Sequence, residues 1–383
     1  MKLIPFNVAS YTGLEDKFVL QAIKQEKISG GGIFTKKCHD WFKNKLGVDK
    51  VLLTTSCTHA LEMSAILLNI SEGDEVIMPS YTFVSTANAF ALRGAKIVFI
   101  DIRPDTMNID ETKIEQAITK KTKAIVPVHY AGVACEMDVI MDIANKHNLF
   151  VVEDSAQGMQ SFYKGKPLGT IGHLGAFSFH DTKNYTSGGE GGLLIVNHKP
   201  FINRAEIIRE KGTNRNAFFK GCVDKYSWVD IGSSYLIGEL SAAYLYAQLQ
   251  SVEVINKDRL ETWGKYYKQL LILQKEGLIS LPSIPKNIEH NGHMFYIKTK
   301  NLVVRDNLII FLKLNNINSA FHYIPLHSST AGLKYGFFSG SDNYTTRESE
   351  RLVRLPMYYG IKNNQVNYIS SKILDFYAQL RLV

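Results

Sequence analysis

The sequence predicts an α/β protein with a mostly parallel sheet in a large domain, followed by a smaller α+β C-terminal domain. Short apolar runs, many rich in β-branched residues, recur along the first half of the chain. Such near-continuous apolar strands are typical of a sheet covered by helices on both faces. Segments with helical spacing of apolar residues separate these runs, so strand and helix alternate. After residue 200 longer helical patterns replace this alternation.

The elements of the first half follow from these patterns in chain order. Strands are predicted at VLLTT from Val51, EVIMP from Glu75, KIVFI from Lys96, AIVPV from Ala124, LFVVE from Leu149, GAFSF from Gly175 and LLIV from Leu193. Helices are predicted at 57–69, 111–119 and 136–147. Right-handed crossovers would bring the carboxyl ends of the strands to one edge of the sheet, where α/β folds bind ligands.

The second half predicts a different organisation. Helical patterns cover 201–211 and about 236–274, and the Pro-bearing segment LPSIP at 281–285 predicts a hinge. Beyond the hinge the sequence predicts a strand at 294–298, a helix at 306–316 and a strand at 317–325. We therefore predict a large domain over residues 1–250 and a smaller domain over 251–383.

Composition excludes several classes of protein. The 383 residues carry 44 Lys and Arg against 36 Asp and Glu, and the basic residues are scattered, which disfavours nucleic-acid binding. A net charge of +8 suits solubility, or an anionic small substrate. The cysteines lie far apart without a CxxC pair, which disfavours a zinc site or a disulfide framework: Cys38, Cys57, Cys135 and Cys222. Without a signal-peptide core or a membrane-length apolar run, we expect a cytoplasmic protein.

Two strand ends carry candidate ligand-binding groups. The loop TTSCTHAL at 54–61 begins a helix with Ser56 and Thr58, which either cap the helix or belong to a phosphate cradle. No GxGxxG follows the first strand and GxxxxGK[ST] is missing, which disfavours dinucleotide and ATP chemistry. Asp154 ends the strand LFVVED, where it could cap a helix, pair with a cationic ring nitrogen or bind a metal. No further metal ligand is evident nearby, so no metal is expected.

The segment GAFSFHDTKN places Ser178 and Lys183 at the end of the next strand. A lone lysine is most often a surface charge. In this chain, however, SGGEGG follows at 187–192, and glycine-rich loops permit close backbone approach to a ligand.

Several motifs in fixed order resemble the DegT/DnrJ/EryC1/StrS family of sugar aminotransferases, which have the fold-type I pyridoxal-phosphate (PLP) architecture. The resemblance extends from about residue 4 to the C-terminus. The motifs that carry it are TSCTHALEM, GDEVIMPSYTFVSTANA, VHYAGVACEMD, VVEDSAQG and SFHDTKNYTSGGEGG.

The resemblance implies roles for individual residues. Lys183 would bond covalently to the cofactor aldehyde and then act as the proton-transferring base, for which burial that lowers its pKa is useful. Asp154 would keep the pyridine nitrogen protonated. Phe83 would stack on the ring, and Gln157 would contact the ring oxygen. The phosphate would lie on the backbone of Ser56, Cys57 and Thr58, with help from the Ser178 hydroxyl.

The resemblance also implies a shared site in a homodimer and a nucleotide-sugar cleft. Many family members carry Asn-x-Arg where this chain reads Ser234-Tyr235-Leu236, and that Asn reaches the cofactor phosphate of the neighbouring subunit. Ser234 would replace it through a shorter or water-mediated bond. The residues expected to line the substrate cleft are Tyr130, Arg215, His322 and Tyr323.

The motifs IPFN, REKGTNR at 209–215, DIGSSYL at 230–236 and FHYIPLH at 321–327 resemble one branch of the family. That branch transfers an amino group from L-glutamate to C4 of TDP-4-keto-6-deoxy-D-glucose, giving TDP-4-amino-4,6-dideoxy-D-galactose for enterobacterial common antigen. The alternatives are a gluco-specific or C3-specific aminotransferase, or a cofactor-binding regulator without turnover. A sugar 3-dehydratase ranks lower, because that branch has His in place of the lysine that is present in this chain as Lys183.

Overall fold

A computed structural model describes residues 2–219, 221 and 223–380 of the chain. Its strands, numbered along the chain, are β1 (Lys50–Thr54), β2 (Glu75–Pro79), β3 (Lys96–Ile100), β4 (Thr122–Ile125), β5 (Phe150–Asp154), β6 (Phe162–Tyr163), β7 (Lys166–Pro167), β8 (Leu174–Ser178), β9 (Gly192–Val196), β10 (Ile288–Glu289), β11 (Phe295–Lys298), β12 (Gly336–Phe338) and β13 (Leu352–Leu355). These include all seven strands predicted for the first half.

Eight of these strands form the main sheet, in the order β1-β9-β8-β5-β4-β2-β3-β12. All neighbours from β8 to β12 are parallel, whereas β9 runs antiparallel to both β1 and β8. The sheet is buried on both faces: along β2, Val76 and Met78 pack into one apolar cluster and Ile77 into another. The predicted α/β class with a mostly parallel sheet is confirmed.

The helices cover the two faces of the sheet and build the C-terminal part of the chain. They are α1 (Glu15–Lys24), α2 (Ile33–Leu46), α3 (Cys57–Leu67), α4 (Val84–Ala91), α5 (Met137–His147), α6 (Ile202–Arg209), α7 (Arg215–Phe219), α8 (Glu239–Gln250), α9 (Val252–Lys275), α10 (Leu302–Leu314), α11 (Thr330–Tyr335), α12 (Thr345–Arg351) and α13 (Asn363–Leu380). The helices predicted at 57–69, 136–147 and 201–211 correspond to α3, α5 and α6.

Three predicted elements differ from the structure. The helix predicted at 111–119 is two 3-10 turns, Glu111–Lys113 and Glu115–Ala117, because the chain becomes extended at Ile118 and leaves too few residues for a longer helix. The pattern at 236–274 is two helices, α8 and α9, separated by Ser251 in a non-helical conformation. The strand predicted at 317–325 is irregular, and within it Ala320 forms a bridge to Arg354 of β13.

A second apolar core lies in the C-terminal part of the chain. It is built from α9, α10, α13, β11 and β13. The N-terminal segment joins this core, because Ile4 is fully buried in it and its N–H donates to Asn316 O at 2.8 Å. Conversely, β12 pairs with β3 of the main sheet. The domain division at residue 250 stays a prediction.

Candidate active site

A cavity of about 560 Å³ lies at the carboxyl ends of β1, β5 and β8. It has contributions from both halves of the chain. Of the residues predicted for the site, the following line it: Ser56, Cys57, Thr58, Phe83, Asp154, Gln157, Ser178, Lys183, His322 and Tyr323. The strand topology thus brings together residues that are spread over 268 positions of sequence, from 56 to 323.

The N-terminus of α3 forms one wall of the cavity. Ser56 caps the helix, since its side chain accepts the His59 N–H at 3.1 Å. The N–H groups of Cys57 and Thr58 belong to the first helical turn, whose donors have no partner within the helix. Ser178, at the end of β8, lines the same cavity. Free N–H groups, the positive end of the helix dipole and a hydroxyl form a suitable cradle for a phosphate.

Gly192 allows this cradle to form. It pairs with Thr54 on one side and Ser178 on the other, at the start of β9. A Cβ at this position would lie under 3.0 Å from backbone atoms of Ser56 and Cys57, which real Cβ atoms essentially never do. The last glycine of SGGEGG is therefore needed for close approach of the chain to itself, a point that the sequence did not reveal.

Asp154 presents a fixed carboxylate to the cavity from the end of β5. The residue is 5% exposed. Its Oδ2 accepts a hydrogen bond from the Thr86 hydroxyl at 2.7 Å, and its Oδ1 accepts the Ala156 N–H at 3.1 Å. Thr86 is held in turn by Thr82, with 2.8 Å between the hydroxyl oxygens. A carboxylate oriented in this way can pair with a protonated ring nitrogen.

Lys183 lies in the turn after β8, where its N–H donates to His180 O at 2.9 Å. Its side chain is half-buried and lines the cavity. Burial lowers the pKa of Lys183 from its usual 10.5, because the charged ammonium loses hydration there. Within the described part of the chain, no hydrogen bond or ion pair involves its Nζ. A lowered pKa raises the fraction of neutral amine, which is the nucleophilic and basic form.

An aromatic side chain and an amide complete this part of the site. Phe83 precedes α4, lines the cavity and is 56% exposed, so a planar ring bound in the cavity could stack on its side chain. Gln157 is 7% exposed and is fixed at both ends of its amide. Its Oε1 accepts the Ala131 N–H at 2.6 Å, and its Nε2 donates to the Tyr323 hydroxyl at 3.3 Å.

A cluster of aromatic residues lies against this amide. The Tyr130 hydroxyl and His322 Nδ1 are 3.1 Å apart, and the Tyr81 hydroxyl bonds to both the Tyr130 hydroxyl and His322 O. Burial raises the pKa of Tyr130 to about 12 and holds that of His322 well below its usual range, so both are neutral at pH 7. Tyr130 lies behind His322 and Tyr323 and does not itself line the cavity.

Arg215 and Ser234, the two other predicted residues, lie outside the cavity of this chain. Both are exposed. Arg215 begins α7. Ser234 forms a bridge with Glu210. The structure of one chain does not bring them to the cavity, and their predicted roles stay predictions.

The sequence did not single out several residues that line or support the cavity, namely Phe6, Asn7, Thr86, His293 and Arg354. Thr86 falls within a motif that carried the family resemblance, and Phe6 and Asn7 fall within IPFN, which resembles one branch of the family, so position within a motif was an available signal. Arg354 is the one charged residue in the strand LVRL of β13, a break in apolar character that also could have drawn attention.

Neither a metal site nor a membrane span is found in the part of the chain that the structure describes. In residues 2–219, 221 and 223–380, no group of three or more His, Cys, Asp or Glu is arranged to hold a metal ion. None of the helices in these residues combines the length and apolar character needed to cross a membrane. Cys38, Cys57 and Cys135 are free and buried, and Cys222 lies outside the described residues.

The donor set fits PLP. A helix N-terminus suits its phosphate, Asp154 suits its pyridine nitrogen, the Phe83 ring suits its face, and a lysine with a lowered pKa suits its aldehyde. The fold and this cavity together define a PLP-dependent aminotransferase.

The chain belongs to the DegT/DnrJ/EryC1/StrS aminotransferase family, whose model matches residues 11–374. Its cofactor is PLP, and it is a sugar aminotransferase. It is 32% identical over 384 residues to GDP-perosamine synthase of Escherichia coli O157:H7, covering 99% of this chain and 100% of that protein. It is 33% identical to the spore coat polysaccharide biosynthesis protein SpsC of Bacillus subtilis, covering 86% of each.

Among solved structures, the chain is similar to the putative sugar aminotransferase Spr1654 from Streptococcus pneumoniae in its PMP form. The TM-score is 0.91 at 25% identity, covering 98% of this chain and 99% of that one. The similarity therefore includes both parts of the chain.

Proposed function

We propose that the protein transfers an amino group from L-glutamate to C4 of TDP-4-keto-6-deoxy-D-glucose, giving TDP-4-amino-4,6-dideoxy-D-galactose. The product would serve the synthesis of a surface polysaccharide of the enterobacterial common antigen type. The observation that carries the aminotransferase chemistry is one cavity that contains both Lys183, with its lowered pKa, and the fixed carboxylate of Asp154. The proposed sugar rests on the motifs at 209–215, 230–236 and 321–327, which resemble one branch of the family.

Each of these residues has a distinct proposed task. Bound PLP supplies the electron sink that makes the carbon–hydrogen bond beside the reacting nitrogen labile. Asp154 keeps the ring nitrogen protonated. Lys183 Nζ, as a neutral amine, would take the proton from the donor's Cα in one half-reaction and give a proton to C4 of the sugar in the other. Ser56, Cys57, Thr58 and Ser178 hold the phosphate and so fix the ring relative to Lys183.

The sugar would lie against the face of the cavity that His322 and Tyr323 form. Tyr130 holds His322 from behind at 3.1 Å, which makes it a positioning residue in this proposal. Because Lys183 delivers its proton from one fixed face of the cofactor, the face of the hexose turned toward it decides the stereochemistry at C4. A few polar contacts supply enough differential binding for such a choice.

A GDP-linked substrate is the second candidate, because a relative that spans the whole chain is named GDP-perosamine synthase. Gluco-specific or C3-specific transfer would use the same cofactor residues with a different sugar pose. A regulator without turnover would not need Lys183 or Asp154, and both are present in the cavity.

We also propose a homodimer with shared sites. Ser234 and Arg215 are exposed outside the cavity of their own chain, which is the placement expected for residues that reach into a partner's site. Exposed large apolar side chains lie in the same stretch, including Trp228 at 78%, Val229 at 51% and Ile231 at 41%. A second copy that covered this stretch would remove those side chains from water. Sedimentation that showed a fully active monomer would contradict this proposal.

The test of function is incubation of the holoenzyme with L-glutamate and TDP-4-keto-6-deoxyglucose or the corresponding GDP-linked sugar, followed by NMR of the product. Small coupling constants between H4 and both its neighbours would mean an axial amine and the galacto configuration. Large constants would mean an equatorial amine and would contradict the galacto configuration, and nitrogen at C3 would contradict the proposed regiochemistry. Lys183→Ala should fold as the parent does and give no product with either nucleotide. Turnover by that variant would exclude the proposed base.

A further inference from the structure

Arg354 places a fixed positive charge in the cavity that the proposed roles do not use. It lies on β13, in register with Tyr296 of β11, and lines the same cavity as Lys183. The ring of Phe6 packs against its guanidinium, 4.8 Å from ring centroid to Cζ. This contact with the N-terminal segment restrains the side chain, and a restrained guanidinium loses less entropy when it binds an anion.

Arg354 also has unused hydrogen-bonding capacity. Its Nε is buried without a hydrogen-bond partner, and no acidic group of the described residues forms an ion pair with it. A buried cationic donor without a partner is unfavourable, which is why such groups in clefts commonly mark the place of an anionic ligand.

The other charges of the cavity are already engaged or neutral. Asp154 accepts hydrogen bonds from Thr86 and Ala156. Glu190 is exposed at the rim, where its carboxylate lies 3.6 Å from His180 Nε2. Burial holds the pKa of His293 and His322 well below the usual range, so neither adds positive charge at pH 7. Arg354 therefore gives the interior of the cavity an uncompensated positive charge that faces the same space as the amine of Lys183.

We propose that Arg354 binds the carboxylate of the amino donor, and hence that it selects an amino acid as the donor. This inference rests on the proposed function. An amino acid carries its α-carboxylate one carbon away from the nitrogen that reacts, so the anion must lie close to Lys183. A nucleotide-sugar carries its diphosphate at C1, across the ring from C4, and therefore farther from the reacting atoms. The planar guanidinium matches a carboxylate with two parallel hydrogen bonds.

Separating the two half-reactions tests this role. The PLP form of the parent, Arg354→Gln and Arg354→Lys would be mixed with L-glutamate, and conversion to the aminated cofactor followed by absorbance. Arg354→Gln should need about 10- to 100-fold more glutamate for half-maximal rate, the range expected for loss of charge-assisted hydrogen bonds. Arg354→Lys keeps the positive charge but cannot form two parallel hydrogen bonds to a carboxylate. Its glutamate concentration for half-maximal rate should lie between those of the parent and Arg354→Gln.

Two further measurements distinguish the possible outcomes. Calorimetric binding of 2-oxoglutarate to the aminated form should weaken in Arg354→Gln by a similar factor. Reaction of the aminated form with the nucleotide-sugar should change by less than about threefold. Arg347→Gln, at an exposed arginine paired with Glu348 away from the cavity, is the matched control and should behave as the parent.

The results separate this inference from the proposed function. If the parent is converted by glutamate and Arg354→Gln is converted with the same concentration dependence, Arg354 does not bind the donor and the proposed function stands. If only the sugar half-reaction is impaired in Arg354→Gln, the anion is the diphosphate and the inference is wrong. If no amino acid converts the parent, both proposals fail.

Discussion

Gly192→Ala tests how the chain builds the phosphate-binding turn. The added Cβ would lie under 3.0 Å from backbone atoms of Ser56 and Cys57, whereas ordinary van der Waals contact begins at 3.4 Å. The turn must therefore move by more than 0.4 Å, the difference between these distances. The atoms that the Cβ would meet belong to the backbone of Ser56 and Cys57, and not to a flexible side chain that could rotate away. The displacement therefore moves the N–H groups of the cradle.

Two costs follow from that displacement. Overpacking of this kind lowers the free energy of unfolding by about 1–3 kcal/mol. Weakening of charge-assisted hydrogen bonds to the phosphate costs about 1.5–3 kcal/mol in cofactor binding, which is a roughly 10- to 150-fold higher dissociation constant. Because the residues that perform the chemistry are unchanged, turnover at saturating PLP should fall less than affinity does.

The assay is titration of the apoprotein with PLP, followed by absorbance, together with urea unfolding of the apoprotein. Gly264→Ala is the matched control, since a Cβ at this position on α9 meets nothing within 4 Å. That variant should bind PLP as the parent does and gain stability from higher helix propensity. Unchanged PLP affinity in Gly192→Ala would mean that close approach at this glycine does not shape the cradle, and the reasoning would be refuted.

Three further predictions concern the charged residues at the strand ends. Asp154→Asn should keep PLP binding within about tenfold but slow single-turnover amino transfer by about 10²–10³, since an amide cannot hold the ring nitrogen protonated. Glu153→Gln should lower the melting temperature by roughly 4 °C in a thermal scan. The Glu153 carboxylate accepts the N–H groups of Gly169, Ile171 and Gly172 at 2.6–2.8 Å, and weakening these bonds should lower the free energy of unfolding by about 3 kcal/mol. In the apoprotein, burial lowers the pKa of Lys183 below the 10.5 of the unfolded chain, so the unfolded state binds more protons and this residue's contribution to stability rises with pH toward 10.5. The urea midpoint of Lys183→Met should therefore rise less with pH than that of the parent, and parallel curves would contradict the shift.

The sequence was sufficient to predict seven of the eight strands of the main sheet, all except β12, and the residues proposed to bind the cofactor, because these follow from local patterns and motifs. Asp154 ends a buried strand and Lys183 follows the next one, and strand ends share one edge of a parallel sheet. The irregular segment at 317–325 was not predictable in this way, because its conformation depends on contacts of His322 and Tyr323 with Tyr130 and Gln157, which are distant in sequence.

The residues that were missed share a cause. Arg354 and Phe6 come from the two ends of the chain and meet only in the folded protein. Phe6 lies in the motif IPFN and Arg354 in the strand LVRL, but neither motif indicates a contact with the other, so their juxtaposition is visible only in three dimensions. Likewise, the glycines of SGGEGG were interpreted as allowing approach of a ligand, whereas Gly192 allows approach of the protein's own backbone.

The N-terminal segment has a consequence for synthesis of the chain. Ile4 bonds to Asn316 and Asn318, and Phe6 and Asn7 then form part of the cavity wall. Residue 4 leaves the ribosome before residue 316, which follows roughly 15–60 s later at about 5–20 residues per second. The N-terminal segment therefore stays undocked while most of the main sheet is synthesised. Until Ile4 bonds to Asn316 and Asn318, Phe6 and Asn7 are not held in the cavity wall, and the cofactor site is open on that side.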